Sequence, residues 1–212
     1  MNNNTFCVIM AGGIGSRFWP MSRKHTPKQF LDILGTGKSF IRATFERFLP
    51  LVPVENFMVV TNGAYKELVL QHIPELKEEQ ILCEPIRRNT APCIAYAAYT
   101  LLKNNPDAKM IVTPADHLIL NEVDFHAIIN ECLEYVQENE ALMTVGIKPS
   151  RPETGYGYIQ KSNNDIISRV KCFTEKPNFE MAKTFVECGE FFWNSGIFIW
   201  TVENIVKAFE RH

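Results

Sequence analysis

The chain alternates between two spacings of apolar residues. Short runs rich in β-branched residues, typical of buried strands, are separated by longer segments with apolar residues at i, i+3 and i+4, typical of helices packed on a sheet. This alternation predicts a Rossmann-like α/β fold with a mixed, mainly parallel sheet flanked by helices. The predicted strands cover residues 6–10, 57–61, 81–83, 110–113 and 142–147, and the predicted helices cover residues 40–48, 64–72, 91–103 and 125–138.

The pattern changes after residue 147. Pro149 and Pro152 indicate a loop, and only short strands are predicted beyond it, near residues 166–173 and 198–200. We interpret this region as a substrate-facing lobe. A helical pattern that begins near Val202 reaches His212 without a capping glycine or proline, which predicts that the domain is truncated there.

Composition and charge narrow the class of protein. The 212 residues carry a formal net charge of −2, whereas non-specific nucleic-acid binding requires a broad excess of Lys and Arg. No apolar run reaches the roughly 18 residues that span a bilayer, and the first residues lack a charged signal-peptide start. We therefore expect a cytoplasmic protein that binds neither nucleic acid nor membrane, and we leave its oligomeric state open, a homo-oligomer included.

The six cysteines form no Cys-x-x-Cys pair, so we expect reduced, mostly buried thiols rather than a zinc site or disulfides.

A basic, glycine-rich segment opens the chain. Residues 1–31 contain no Asp or Glu, and their cations are Arg17, Arg23, Lys24 and Lys28. The run Ala-Gly-Gly-Ile-Gly-Ser-Arg, residues 11–17, follows the first predicted strand, at the sheet edge where open α/β folds bind ligands. Glycines let backbone N–H groups approach phosphate oxygens, and Arg17 and Lys28 would add positive charge. By themselves these glycines fit an ordinary strand-to-helix turn equally well.

Two common phosphate-binding motifs do not fit this segment. A dinucleotide fingerprint would need glycine at position 18, which is Phe18, and this also disfavours a nicotinamide-dependent oxidoreductase. A Walker P-loop that ends at Gly37-Lys38-Ser39 would need glycine at position 32, which is Asp32.

A longer motif does fit. The run Gly-Gly-Ile-Gly-Ser-Arg-Phe-Trp-Pro-Met-Ser, residues 12–22, followed by Thr-Pro-Lys-Gln at 26–29, resembles the signature of the sugar-1-phosphate nucleotidyltransferases. Its Pro-Lys-Gln-Phe ending is similar to that of the mannose-1-phosphate guanylyltransferase branch, and the resemblance covers residues 8–198. It implies that a loop wraps the triphosphate of GTP while Arg17 and Lys28, as catalytic residues, stabilise charge on the α-phosphate and on departing pyrophosphate. The loop residues so implied are Ala11, Gly12, Gly13, Gly15 and Ser16.

The same resemblance divides the chain by role. It implies that residues 1–147 form the nucleotide-binding half and residues 148–212 the sugar-phosphate-binding part. The stretch from Glu84 to Pro92 indicates, on its own, only a loop with Thr90 as a helix N-cap. The resemblance implies that Glu84 accepts hydrogen bonds from guanine N1–H and N2–H₂, a donor edge that adenine lacks. Asn89, Thr90 and Ala91 would then contact the base or the ribose.

Asp116 follows the fourth predicted strand at the same sheet edge. Alone, it is equally well a helix cap or a loop residue. Beside a triphosphate, an Asp is the usual oxygen ligand of Mg²⁺, and the resemblance implies that Asp116 binds both the metal and the nucleotide. The resemblance also implies a second metal-binding aspartate downstream of this chain. His117 is more typical of a structural hydrogen-bonding residue.

Three further segments, at residues 155–159, 173–177 and 193–198, would each indicate only a turn, a surface ion pair or a bulged strand. Their order resembles the sugar-phosphate-binding segments of the family. The resemblance implies that the Gly155 N–H, Glu175 and Asn194 bind sugar hydroxyls beside Tyr156, and that Lys176 neutralises the sugar phosphate.

The implied reaction is transfer of GMP from GTP to mannose 1-phosphate, which forms GDP-mannose and pyrophosphate with Mg²⁺ as cofactor. One alternative is a transferase for another base or sugar, such as a glucose-1-phosphate thymidylyltransferase. Another is a non-catalytic domain that holds a sugar nucleotide. Such a domain should have lost Arg17, Lys28 or Asp116, and all three are present.

Overall fold

The computed structural model describes residues 4–86 and 88–212, and of Arg17 it describes only the backbone. The chain forms two compact units: the residues up to Met143 together with Phe198–His212, and Thr144–Ile197. The elements in chain order are β1 (Thr5–Met10), α1 (Phe40–Phe48), β2 (Phe57–Asn62), α2 (Lys66–His72), β3 (Ile81–Glu84), α3 (Thr90–Asn104), β4 (Lys109–Pro114), α4 (Glu122–Glu138), β5 (Met143–Ile147), β6 (Tyr158–Lys161), β7 (Val170–Thr174), α5 (Phe179–Cys188), β8 (Phe191–Thr201) and α6 (Val202–Arg211).

The first unit is built on four parallel strands in the order β3-β2-β1-β4. The end of β8 continues this sheet antiparallel to β4, from the pair Val112 and Phe198 to the pair Lys109 and Thr201. Parallel strands are buried on both faces, and β2 and β4 accordingly have five buried residues in succession. The mixed, mainly parallel α/β fold is thus confirmed.

Helices cover both faces of this sheet. On one face, α3 and α6 bury their apolar sides against alternate residues of β1, β2 and β4, among them Val8, Val60 and Val112. On the other, α1 and α4 meet through Phe48 and Phe125, whose ring centroids are 5.4 Å apart. Each large apolar side chain buried in this way contributes about 1.5–3 kcal/mol. The layers hold the carboxyl ends of β1, β3 and β4 in fixed positions.

The second unit contains β5, β6, β7, α5 and the first part of β8. Strand β6 pairs antiparallel with both β7 and β8, and β5 pairs with β8. Its core contains Tyr158, Ala182, Phe191 and Trp193, with the ring of Phe185 stacked on Phe191 at 3.8 Å. The hydroxyl of the fully buried Tyr158 donates to the carbonyl of Glu153 and accepts from its N–H, each at 3.0 Å, which satisfies a polar group in an apolar core.

Three details differ from the expectations. Strand β6 and helix α5 were not predicted; in α5 only Ala182 is buried, while Phe179 and Met181 are exposed. The predicted boundary after residue 147 does not separate the compact units, since α6 packs on α3 and returns residues 198–212 to the first unit. The functional roles given to the two parts remain predictions.

The third difference concerns the start of α3. The N-cap position is held by Asn89 rather than by Thr90, which is the first helical residue. Asn89 has a φ of 67°, and its side chain makes no capping hydrogen bond. Together with a ψ of −157°, this φ is a backbone conformation that residues other than glycine rarely adopt, so the turn into α3 is strained at Asn89.

Candidate functional site

The carboxyl ends of β1 and β4 bring two predicted site segments together. Met10 pairs with Pro114, so the glycine-rich loop and Asp116 leave the sheet at the same edge. The ammonium of Lys28 forms an ion pair with the carboxylate of Asp116, and it also lies 5.2 Å from the ring centroid of Phe18. Both charged side chains are partly exposed. An accessible cation and carboxylate therefore meet beside the loop.

The loop presents backbone donors. The Ala11 N–H donates to Val60 in β2, but no residue in the described part of the chain accepts a hydrogen bond from the N–H groups of Gly12, Gly13, Ile14 or Gly15. Unpaired, successive N–H groups form a concave anion site, since phosphate oxygens can satisfy several of them at once. Ser16 follows, exposed, at the start of a short 3₁₀ turn. The side chain of Arg17 lies outside the described atoms, so its catalytic role stays a prediction.

Gly15 allows the loop to close on the segment that carries Lys28. Its φ is 64°, and a Cβ there would lie 2.7 Å from Ser22 Oγ and 2.9 Å from the backbone nitrogen of Lys28. Ser22 Oγ in turn donates to the carbonyl of Ile14 at 3.1 Å. Any side chain at position 15 would strain the backbone and push the two segments apart.

Gly12 similarly makes room for the side chain of Glu84, the last residue of β3. A Cβ at position 12 would lie 3.2 Å from Oε2 of Glu84, so the carboxylate reaches over the first glycine of the loop. The residues predicted to accompany Glu84 in base binding, Asn89, Thr90 and Ala91, lie exposed where α3 begins. The structure therefore places a carboxylate acceptor beside the glycine-rich loop.

Gln29 is a site residue to which the sequence analysis assigned no role. Its side chain is only 3% exposed, and its Nε2 donates to the carbonyls of Ala11, at 2.7 Å, and Gly13, at 2.9 Å. Thr61 Oγ1 donates to the same Ala11 carbonyl at 3.1 Å. A buried glutamine beside a predicted catalytic lysine was the available signal, but residue type alone did not reveal what it bonds to.

His117 follows Asp116 directly and is partly buried. Burial lowers the pKa of its imidazole below the ordinary value, with Arg47 and Lys28 acting in the same direction and Asp116 against it. Its carbonyl accepts a hydrogen bond from Arg47, which is 4% exposed and pairs with Glu122 at 3.3 Å. Arg47 thus stabilises the turn after β4, which carries Asp116.

In the second unit, the predicted sugar-phosphate residues lie in the loop before β6, in the turn after β7 and in β8. A Cβ at Gly157 would lie 2.8 Å from Oε2 of Glu175, so the missing side chain makes room for that carboxylate. Glu175 and Lys176 are exposed and form an ion pair with each other, and Lys176 has a φ of 44°. The Tyr156 ring meets Trp193 edge-on at 5.3 Å.

Two hydrogen-bonding expectations for this unit need refinement. Asn194 Oδ1 already accepts from Thr144 Oγ1 at 3.2 Å and from the Gly196 N–H at 3.0 Å, which leaves its Nδ2 as the group without an acceptor among the described residues. The Gly155 N–H, predicted to bind a hydroxyl, instead donates to Glu153 Oε1 at 3.0 Å, because this carboxylate folds back over the turn.

Other expectations concern metals, membranes and thiols. In residues 4–86 and 88–212, no group of three or more His, Cys, Asp or Glu could hold a metal on its own. Nor does this part of the chain contain a helix long and apolar enough to cross a membrane. The cysteines are free, as expected, but only Cys7, Cys93 and Cys132 are buried, while Cys172 and Cys188 are exposed and Cys83 is half-buried.

Comparison with known proteins places this site in a family. The sequence matches the nucleotidyl transferase family over residues 6–212. The mannose-1-phosphate guanylyltransferase of Klebsiella pneumoniae is 42% identical over 211 residues, which cover 96% of this chain and 44% of that protein. This chain therefore spans less than half the length of that curated relative.

Solved structures agree in fold. A crystal structure from Thermus thermophilus, described as a mannose-1-phosphate geranyltransferase, superposes with a TM-score of 0.90 at 32% identity, covering 99% of this chain and 61% of that one. A structure from Helicobacter pylori, described as a mannose-6-phosphate isomerase, gives 0.80 at 29% identity and covers 99% and 75%. Since the family match spans almost the whole sequence and includes the loop, Lys28 and Asp116, the chain belongs to the nucleotidyl transferase family.

Proposed function

We propose that this chain transfers GMP from GTP to mannose 1-phosphate and releases pyrophosphate. The observation that carries the proposal is the meeting of Lys28 and Asp116 beside a glycine-rich loop whose N–H groups have no acceptor among the described residues. This combination supplies a cation and backbone donors to a polyanion, together with a carboxylate that could hold the metal ion accompanying it. The name of the Klebsiella pneumoniae relative supports the choice of nucleotide and sugar.

The nucleotide is assigned to the first unit. The N–H groups of the loop from Gly12 to Ser16 bind the phosphates, and Ala11, whose own N–H donates to Val60, anchors the loop to the sheet. Lys28 and Arg17 stabilise the charge that develops on the α-phosphate and on pyrophosphate. Glu84 accepts from guanine N1–H and N2–H₂, because an ionised carboxylate is an acceptor on both oxygens. Asn89, Thr90 and Ala91, exposed at the start of α3, contact the base or ribose.

Magnesium fits the donor set at Asp116. Mg²⁺ takes one or two protein carboxylates and obtains its other ligands from water and phosphate oxygens, and Asp116 offers such a carboxylate at the sheet edge. When bound, the ion supplies positive charge to the triphosphate oxygens. Asp116 would exchange its Lys28 partner for the metal, and this would release the ammonium for the nucleotide.

The sugar phosphate is assigned to the second unit. Glu175 accepts from sugar hydroxyls, the Nδ2 of Asn194 donates to one, Tyr156 lines the sugar and Lys176 neutralises its phosphate. We leave Gly155 out of this set because its N–H already has Glu153 as acceptor.

The reaction requires no general base. An ionised oxygen of mannose 1-phosphate attacks the α-phosphorus of GTP, a P–O bond forms, and the bond to the β-phosphate breaks with the electron pair leaving on pyrophosphate. The barrier lies in bringing two polyanions together, so charge neutralisation supplies the catalysis, by Arg17 and Lys28 on the nucleotide and by Lys176 on the sugar phosphate.

The test is pyrophosphate release measured with Mg²⁺ across GTP, ATP and dTTP, each with mannose 1-phosphate and glucose 1-phosphate. The proposal expects the highest kcat/KM for GTP with mannose 1-phosphate and no release when the metal is chelated. Highest activity with dTTP and glucose 1-phosphate would favour the thymidylyltransferase alternative, and binding without release would favour a non-catalytic domain. A parallel assay for mannose 6-phosphate isomerisation covers the activity named for the Helicobacter pylori structure.

A further inference from the structure

The buried side chain of Gln29 connects two parts of the proposed nucleotide site that are distant in sequence. Its neighbour Lys28 carries the ammonium, and its own amide reaches the glycine-rich loop. Both hydrogens of Nε2 are used, one on the carbonyl of Ala11 and the other on that of Gly13. This one amide group therefore fixes the loop relative to the lysine.

These two hydrogen bonds determine which way the loop donors face. In a trans peptide the C=O and the following N–H point in opposite directions. The carbonyls of Ala11 and Gly13 face Gln29, so the N–H groups of Gly12 and Ile14 are turned away from it. These are two of the N–H groups for which no described residue is an acceptor.

We propose that Gln29 is a positioning residue: its amide orients the Gly12 and Ile14 N–H groups toward the phosphates and holds the loop in register with Lys28. This inference rests on the proposed function. Glutamine suits the role because its single nitrogen offers two donors at the end of a flexible, uncharged chain. Thr61 also donates to the Ala11 carbonyl, but its single hydroxyl hydrogen leaves the Gly13 peptide unheld.

A second glutamine in the same unit provides a matched control. Gln80 Nε2 also bridges two carbonyls, those of Val54 at 2.8 Å and Phe57 at 2.9 Å, away from the loop. Gln29→Met and Gln80→Met each remove such a pair of hydrogen bonds while keeping the side-chain length, and Gln80→Met also removes the bond that Gln80 Oε1 accepts from the Lys77 N–H at 2.9 Å. Gln29→Glu keeps the shape and replaces the donor with an acceptor that repels both carbonyls.

The experiment measures GTP affinity by calorimetry, steady-state kinetics with mannose 1-phosphate, and thermal unfolding for the wild type and the three variants. We expect Gln29→Met and Gln29→Glu to lower kcat/KM for GTP by about 100-fold, the effect of small misplacements in catalytic geometry. The KM for mannose 1-phosphate should change less than about twofold, because the proposed function assigns that substrate to residues of the second unit. Gln80→Met should retain wild-type kinetics with a comparable change in Tm.

Each outcome is decisive. Normal GTP affinity and turnover in both Gln29 variants would overturn the inference, as would an equal kinetic loss in Gln80→Met, which would show that Gln29 acts only through stability. If the Gln29 variants do not fold while Gln80→Met does, the role is structural and the inference is also overturned. Failure of the wild type to bind GTP would instead overturn the proposed function itself.

Discussion

Gly157 and Glu175 are matched so closely that a Cβ on residue 157 would lie 2.8 Å from the Glu175 carboxylate. Glu175 is exposed and flexible, so Gly157→Ala should displace its carboxylate rather than unfold the second unit. We expect the KM for mannose 1-phosphate to rise about tenfold, a loss of about 1.4 kcal/mol, with the KM for GTP unchanged. Steady-state kinetics check this. Gly63→Ala, where a Cβ would meet nothing within 4 Å, is the control, and an equal rise there would refute the explanation.

Lys28→Ala should remove the ammonium that pairs with Asp116. Loss of one preorganised charge at a phosphoryl centre typically costs about 100-fold or more in kcat. We expect a loss of that size in pyrophosphate release, with an unchanged circular dichroism spectrum. Lys24→Ala, an exposed lysine in the same basic segment, should remain active. A near-normal rate in Lys28→Ala would exclude the assigned role.

Glu84→Gln tests base recognition. An amide oxygen replaces one carboxylate oxygen, and its NH₂ group opposes the donor edge of guanine, so kcat/KM for GTP should fall by roughly 10- to 100-fold while that for ATP stays constant. The ratio of the two values is the measurement. Glu79→Gln, an exposed neighbour before β3, controls for the charge change. If both nucleotides lose activity equally, Glu84 does not read the base.

The thiols should react in two classes. Burial raises the pKa of Cys93 to about 12 and that of Cys132 to about 11, so both remain protonated and inert in the native protein. The exposed Cys172 and Cys188 should react with a disulfide reagent within minutes, whereas the buried thiols should react only on unfolding. Replacing both exposed cysteines with serine should abolish the fast phase, and its persistence would contradict the assigned burial.

Acid should destabilise the first unit through His72. Burial lowers the pKa of His72 below its ordinary value of 6.5, so the unfolded state takes up a proton at a higher pH than the folded state. The contribution of His72 to stability is therefore complete above pH 6.5 and is lost as the pH falls through its folded-state pKa. Denaturant unfolding between about pH 8 and about pH 5 should show a steeper decline for the wild type than for His72→Gln. Parallel curves would argue against this assignment.

The fold of the first unit could be predicted from the sequence because its strands are continuous apolar runs, as in β2 and β4. Such runs are typical of strands that are buried on both faces. It was less informative for α5, where Asn178 and Gly189 cap a helix whose apolar side chains are largely exposed. Those capping residues were the usable signal.

The site shows a similar limit. The motif indicated Lys28 and Asp116 individually, yet their pairing depends on which strands become neighbours in the sheet, and this is a tertiary property. Likewise, the motif could not show that the Gln29 amide donates to loop carbonyls or that the Gly155 N–H donates to the Glu153 carboxylate. Hydrogen-bond partners depend on backbone directions that residue types do not specify.

The Lys28–Asp116 pair implies thermodynamic linkage between nucleotide and metal. As long as the carboxylate neutralises the ammonium, an approaching triphosphate gains little net attraction from either group. Under the proposed assignment, a divalent ion that engages Asp116 frees the lysine, and a triphosphate that engages the lysine frees the aspartate. Each ligand therefore increases the affinity for the other by the same factor, so the two should bind cooperatively.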